Sequence, residues 1–399
     1  MEQKKGIMKL AAPFVIASLW IGFYIGPGFA SGAMLTRYLV GPSWLGIFVG
    51  PAIVCLYAST LAYLIFEYSR RKQSNDYREV YDGVFGKYKH IFSNIKDISI
   101  LITIFVVSVM SFATAGRLIR DLTGIPATIG GLALLAFSFV MVIKGQLVIV
   151  KMNTLFTWMM IAVVIAVLIV GVGPSWPAMS EYVGNRTFNQ PGIRVFINFI
   201  LFTNVITSFI DTSIPVLKGV VKTKQDVKRG VILGFLLTFT ITSLMNVILA
   251  AAMPQIIEED IPTLWALNNV IETPIIRIVY LIVAILAVFT SMAGLHFGTV
   301  ERYQRTLGKV WKNSSYNQRR IAILLFVFPF AIYFGQKSIP GFIMYGFDLL
   351  GYINKPLLEL PIFFILPWVL LRMTKRGETG PTEGTNLPDG AKSSKGKGK

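Results

Sequence analysis

Cysteine occurs once in the 399 residues, as Cys55 inside an apolar block, and histidine twice, as His90 and His296. One thiol excludes a disulfide framework and a thiolate metal cluster, and two imidazoles are too few for a histidine-built metal site. Charge is also scarce, at 15% of residues, where soluble domains carry about 25%. No zincin-like His-Glu motif, no glycine-rich phosphate loop followed by lysine and no paired intramembrane carboxylates stand out, which argues against a membrane enzyme. The alternating segments of about ten residues that build a membrane β-barrel are missing too.

What the chain has is length in apolar blocks. Hydrophobic residues make up 54% and mean hydropathy is +0.63. The blocks run for roughly 17–25 residues, enough to cross a bilayer core of about 30 Å. Backbone polar groups must be satisfied internally in lipid, so the blocks are helices. Ten spans are expected, at 8–38, 42–68, 97–117, 127–143, 154–173, 192–217, 229–253, 274–298, 320–335 and 356–372. The apolar stretch 339–352, broken by Gly341, Gly346, Asp348 and Gly351, reads as a short interfacial or re-entrant segment. Lys4 and Lys5 precede an apolar run too long for a signal peptide, so that run is taken as the first span.

The net charge of +18 is a topology signal and not a nucleic-acid footprint, because the basic residues sit in short loops between apolar blocks. Most fall on one side when both termini are cytoplasmic, and Lys337 and Lys355 are among the few assigned to the other. A multi-pass protein of the cell membrane follows. Residues 69–96 form a basic loop in which Tyr77, Val80, Tyr81, Val84 and Phe85 recur at helical spacing. That loop helix lies either on the membrane surface or against the bundle. Residues 1–373 form one transmembrane domain, and 374–399, rich in Gly, Lys and Ser, form a disordered cytoplasmic tail.

The informative break is in span one, at Gly26-Pro27-Gly28. Glycine is a poor helix former, and proline clashes with the preceding turn and disfavours helix at the residue before it. Free peptide groups are tolerated at membrane depth only where they face protein or water, and half-helix ends there are a transporter device. Span six carries a second interruption, Phe202 to Ser213, with Asn204, Thr207, Ser208 and Asp211 on one face. An intramembrane carboxylate is a functional hypothesis by default. Asp211 could instead be wetted near a helix end, or paired with Lys218. Spans one and six are five apart, so two inverted halves, about 8–173 and 192–372, each open on a broken helix. Span eight adds the hydroxyl pair Thr290-Ser291.

This order of pieces resembles the LeuT-like fold of the amino acid–polyamine–organocation transporter superfamily. Gly22-Phe23-Tyr24-Ile25-Gly26-Pro27-Gly28 is similar to the superfamily's G-x-x-V-G-x-G, with Ile in place of Val. The resemblance implies a sodium site made of the carbonyls of Gly22, Ile25 and Ala287 and the hydroxyls of Thr290 and Ser291. Other relatives use a span-five lysine instead, so proton coupling stands as the alternative; here Lys151 opens that span. More narrowly, Gly26-Pro27-Gly28-Phe29-Ala30-Ser31-Gly32 resembles the G-A-G-F-A-S-G signature of YkvI-type bacterial membrane proteins. It differs in Pro27 for Ala, and in Ala33-Met34 where Gln-Glu is expected.

The expected function is secondary active transport of a small polar solute, an amino acid or related compound, coupled to a cation. In that reading the N–H groups of Phe29, Ala30 and Ser31 hold a polar or anionic end between the breaks. The substrate position comprises Tyr24, Gly26, Gly28, Phe29, Ala30, Ser31, Phe202, Thr203, Asn204, Thr207 and Ser208. A non-transporting sensor or complex subunit that kept the fold is the second reading, and a channel the third. The sequence leaves substrate identity and oligomeric state open.

Overall fold

Among the described residues span one comes apart at Gly26-Pro27-Gly28, while the prolines inside spans five, six and nine leave those helices continuous. The computed structural model describes residues 12–336, 340–378 and 380, so the start of span one and most of the tail lie outside the described residues. Span one is α1 (Ala12–Tyr24), α2 (Pro27–Ala30) and α3 (Ala33–Leu35), which runs into a π-turn at Thr36–Val40. Span two is α4 (Val49–Lys72), followed by the loop helix α5 (Tyr77–Phe85) and span three, α6 (Lys89–Thr123). Spans four and five, α7 (Ala127–Lys144) and α8 (Gln146–Gly184), are separated by Gly145 at φ +88°.

The second half holds α9 (Gly192–Leu217), α10 (Lys224–Ala251), a short α11 (Pro262–Ala266), α12 (Pro274–Val310) and α13 (Tyr316–Gln336). The last span is α14 (Pro340–Asn354), a π-turn at Lys355–Glu359 and α15 (Leu360–Lys375). Among the described residues nine helices are long and apolar enough to cross a membrane. The broken first span makes ten.

Two expectations need correction, and a third point left open by the sequence is decided. Span six is wound continuously from Gly192 to Leu217. Its hydroxyls fold back on their own helix: Thr203 donates to the Ile200 carbonyl at 2.7 Å, Ser208 to Asn204 at 3.0 Å and Thr212 to Ser208 at 3.1 Å. Such back-bonds add to the helical ladder without replacing it. Second, the segment before the last span is not re-entrant. It is helical and joins that span through the π-turn, which carries Lys355 into the protein interior rather than onto a loop. Third, α5 buries Tyr77, Val80, Tyr81, Val84 and Phe85 against α6, α9 and α4, so the loop helix packs on the bundle.

α1 packs on α10, α8, α9 and α12, while α6 packs on α7, α12 and α13. The residues of the break in span one, Tyr24 to Ala30, are all buried in protein.

Candidate functional site

At the end of α1 the Ile25 N–H reaches the Ile21 carbonyl at 2.8 Å, and the ladder resumes only when Ala30 N–H reaches Gly26 at 2.9 Å. Pro27 contributes no donor, and Gly26 is extended at φ −87°, ψ −163°. Among the described residues no backbone N–H takes the carbonyls of Gly22 or Ile25, and the N–H groups of Gly26 and Phe29 find no backbone acceptor. All four residues are buried. The expected donors shift accordingly: the N–H groups of Ala30 and Ser31 are used within the α2 turn, Ser31 reaching Pro27 at 3.0 Å. Of the predicted trio only Phe29 keeps its donor, and Gly26 joins it.

Span eight supplies hydroxyls to this break. Ser291 Oγ donates to the Gly22 carbonyl, and Thr290 Oγ1 donates to Ala287 at 3.1 Å and Leu286 at 3.0 Å. Thr290 and Ser291 are both buried on α12. The fold thus joins Gly22 to Ser291 directly, and Thr290 to Ala287. The donors are neutral oxygens, two of them carbonyls released by the break, a set suited to a weakly held alkali cation. Lys151, the alternative coupling residue, is exposed on α8.

Aromatic rings cover the other side of the break. Tyr24 lies 5.4 Å from Phe29 and 6.2 Å from Phe202 between ring centroids, and Tyr38 stacks on Phe202 at 5.8 Å. Tyr24 is anchored through its hydroxyl to Thr242 of α10 at 2.8 Å. Gly28 is closely packed, since a Cβ there would meet Met34 Sδ at 2.2 Å. The α2 end is capped from α11 and α12. The Ala30 carbonyl accepts from Thr263 at 2.9 Å and Tyr280 at 2.8 Å, and the Ser31 carbonyl from the Thr263 N–H at 3.1 Å.

The polar face of span six does meet span ten, which sequence reasoning missed. Asn204 Oδ1 accepts from Asn354 at 2.9 Å, and Thr207 donates to Glu359 at 2.6 Å. Asn204 Nδ2 is buried without a partner among the described residues. Asp211 pairs with Lys96 and not with Lys218, and Glu359 gives the spans a second buried carboxylate. Thr203 and Ser208 turn their hydroxyls to their own helix, and among the described residues neither hydroxyl bonds to the break.

Ion pairs join the helices away from the break. Arg37 pairs with Asp348 of α14 at 2.5 Å, and the Tyr38 hydroxyl donates to the same carboxylate at 2.6 Å. At the α5 end Asp97 gathers Arg78 and Arg302, and Arg305 meets Asp76 at 3.1 Å. Burial pushes the Asp76 carboxyl up, while Arg302 and Arg305 pull it back.

The model of the tryptophan/tyrosine permease family matches residues 10–381. Among curated proteins none matches in sequence. Solved structures do match in fold. A nucleobase-cation-symport-1 family transporter, Mhp1, in a closed conformation with bromovinylhydantoin bound, superposes at TM-score 0.65 and 17% identity over 88% of this chain and 77% of that one. MhsT in complex with L-phenylalanine gives 0.59 and 14% over 92% and 98%. A Na+-coupled sialic acid symporter in a substrate-bound outward-open state gives 0.60 and 12% over 89% and 79%. The architecture is that of the LeuT-like transporters.

Proposed function

Because the chain belongs to the tryptophan/tyrosine permease family, we propose that it carries an aromatic or related amino acid by alternating access, coupled to a cation, at the break in span one. It is a multi-pass secondary transporter; the substrate, the ion and the site are our reading. The observation that carries it is the set of buried, unladdered peptide groups at Gly22, Ile25, Gly26 and Phe29. The N–H groups of Gly26 and Phe29 face an anionic end as a half-helix start does. An aromatic side chain fits against Tyr24, Phe29, Phe202 and Tyr38. Asn204, with its unpartnered amide nitrogen, supplies a further hydrogen bond.

Sodium would be held by the carbonyls of Gly22, Ile25 and Ala287 and the hydroxyls of Thr290 and Ser291. When bound, it supplies positive charge beside the substrate's carboxylate. The released carbonyls and the Ser291–Gly22 contact support this assignment. The Arg37–Asp348 pair with Tyr38 acts as one gate, and the Asp97 cluster as the other. Repeats of about 8–173 and 192–372, cytoplasmic termini and residence in the cell membrane complete the proposal. The Gly26–Gly32 signature supports a YkvI-like branch of the family.

The test is thermal stabilisation of the purified protein by L-tryptophan, L-tyrosine and L-phenylalanine, in sodium and in potassium, followed by uptake into proteoliposomes. Ligand at a hundred times its Kd stabilises by about 2.7 kcal/mol. The expected hit requires sodium and disappears in Thr290→Ala/Ser291→Ala. A hit indifferent to sodium removes the ion assignment. Binding without uptake under any gradient would favour a sensor that kept the fold.

A further inference from the structure

The ends of α7, α8, α9, α12 and α13 meet around a cleft of about 440 Å3, outside the cation and substrate positions assigned above. Its charge is one-sided. Lys144, Lys218, Arg305 and Arg320 line it with a single acid, Glu301. Arg320 holds Glu301, and Arg305 pairs with Asp76 at 3.1 Å. Lys144 and Lys218 are exposed and have no acidic partner among the described residues. Lys218 donates to the amide oxygen of Asn75.

Behind these lysines the wall is fixed. Arg320 is 3% exposed. Its guanidinium donates to Glu301, to the Tyr316 hydroxyl and, at 3.0 Å, to the Val142 carbonyl, and it lies 3.9 Å from the Tyr316 ring centre. These contacts leave Arg320 Nε buried without a partner among the described residues. A Cβ on Gly145 would lie 3.7 Å from Arg320 Nη1, so the guanidinium stands beside the turn that starts α8. Gly145 takes φ +88°, a backbone that favours glycine. It opens α8 with no side-chain cap. The N–H groups of Gln146, Leu147 and Val148 have no backbone acceptor among the described residues. The Gln146 side chain is engaged elsewhere, donating to the Pro215 and Val216 carbonyls at 3.0 Å each, which holds the start of α8 against the end of α9. The start of α13, also at the cleft, is already closed by reciprocal bonds between Ser315 and Gln318.

An uncapped helix start offers free donors and about half a positive charge, the arrangement that takes phosphate. Loop lysines alone satisfy the positive-inside rule. That rule asks nothing of a buried arginine with an unused donor, or of a glycine turn that sets an uncapped helix start beside it. We propose that this cleft binds a phosphate group through Lys144, Lys218 and the first N–H groups of α8, with Arg320 as its fixed back wall. A phosphate carries about one to two negative charges at neutral pH, which offsets the two uncompensated lysines, and its oxygens accept charge-assisted hydrogen bonds. The group belongs to an anionic phospholipid of the cytoplasmic leaflet, the side on which the transport reading places this cleft, or to a soluble phosphate. Bound there, it ties α7, α8 and α9 together and stabilises the fold. The binding does not depend on what the chain carries.

Unfolding temperatures of the full chain, purified in detergent and stripped of lipid, test this. Inorganic phosphate, succinate, short-chain phosphatidylglycerol and short-chain phosphatidylcholine are titrated separately at constant ionic strength. The expected result is a rise with phosphate or phosphatidylglycerol that succinate and phosphatidylcholine do not match. A rise with phosphatidylglycerol and not with phosphate supports the lipid as the source, and a rise with phosphate supports a soluble one. No rise with either, or an equal rise with succinate or phosphatidylcholine, overturns the proposal. A lysine near an anionic group contributes about fivefold in affinity, so Lys144→Gln/Lys218→Gln should weaken binding about 25-fold, while Lys144→Arg/Lys218→Arg should keep it. Both lysines are exposed, so the ligand-free unfolding temperature of the glutamine variant should match that of the unaltered protein, which separates a lost site from misfolding. Unchanged affinity in the glutamine variant overturns the proposal, whether or not tryptophan is transported.

Discussion

Span one and span six carry the same outward sign, a polar or glycine-rich interruption in an apolar helix, yet only span one comes apart. Gly26-Pro27-Gly28 removes a donor and places an extended residue in the path of the helix. Span six has Pro215 but keeps helical geometry from Gly192 to Leu217. The difference lies in where the polarity sits. In span one the backbone itself is deprived of a hydrogen bond, and nothing local can replace it. In span six the polarity is on side chains, whose hydroxyls return to carbonyls three or four residues back. A run of Thr and Ser marks a polar face; glycine flanking proline marks a break.

α12 sharpens the contrast because it touches both spans in different ways. It meets the broken span through the Ser291 hydroxyl, and the unbroken one through bare backbone. A Cβ on Gly298 would lie 2.1 Å from the Thr212 carbonyl oxygen. That atom belongs to a rigid helix, so Gly298→Ala must push α12 off α9. The expected cost is about 1–3 kcal/mol, read as a lower unfolding temperature, together with loss of L-tryptophan uptake. Retention of both would mean that the two helices are not locked together. A smaller effect is expected at Gly32, where φ is +77° and a Cβ would meet Thr263 Cγ2 at 2.7 Å. Left-handed backbone costs a side-chain-bearing residue about 1–2 kcal/mol. Gly32→Ala should therefore loosen the α11 cap on span one and raise the KM for uptake, while span six keeps its contacts. An unchanged KM would show that the cap is not part of the site.

The architecture was legible in the sequence because apolar length and loop charge constrain it directly. So was the break, since Pro27 cannot donate and is flanked by two glycines, the poorest helix formers after proline itself. The span-eight pair Thr290-Ser291 stood out as adjacent hydroxyls in an apolar helix, the superfamily resemblance set it beside the span-one carbonyls, and Ser291 does reach Gly22. The buried charges were not legible. Lys96 stood at the edge of a basic loop and Lys355 before the last span, so both read as loop charge. Their partners are distant: Asp211 is 115 positions from Lys96, and Thr207 is 152 from Glu359. Lys355 and Glu359 are close in sequence, but only the π-turn brings them inside, and Pro356 made that stretch look like a helix start. The donors at Ala30 and Ser31 were misjudged for a local reason. Four residues after the break suffice to restart a turn that consumes them.

The smallest predicted effect tests the unbroken state of span six. Among the described residues the Thr203 hydroxyl bonds only to the Ile200 carbonyl, which lies within the same helix. Thr203→Val keeps the shape, removes a hydroxyl whose partner sits in an intact ladder, and leaves no orphan donor behind. Hydrogen bonds of this kind contribute about 0.5–1.5 kcal/mol at most, and a back-bond inside a helix belongs at the low end because it competes with the ladder. The unfolding temperature and the KM for L-tryptophan should therefore both stay near those of the unaltered protein. A tenfold rise in KM would mean that the hydroxyl leaves Ile200 when substrate binds. Span six would then open during the cycle as span one is open throughout, and the contrast between the two would be one of timing instead of construction.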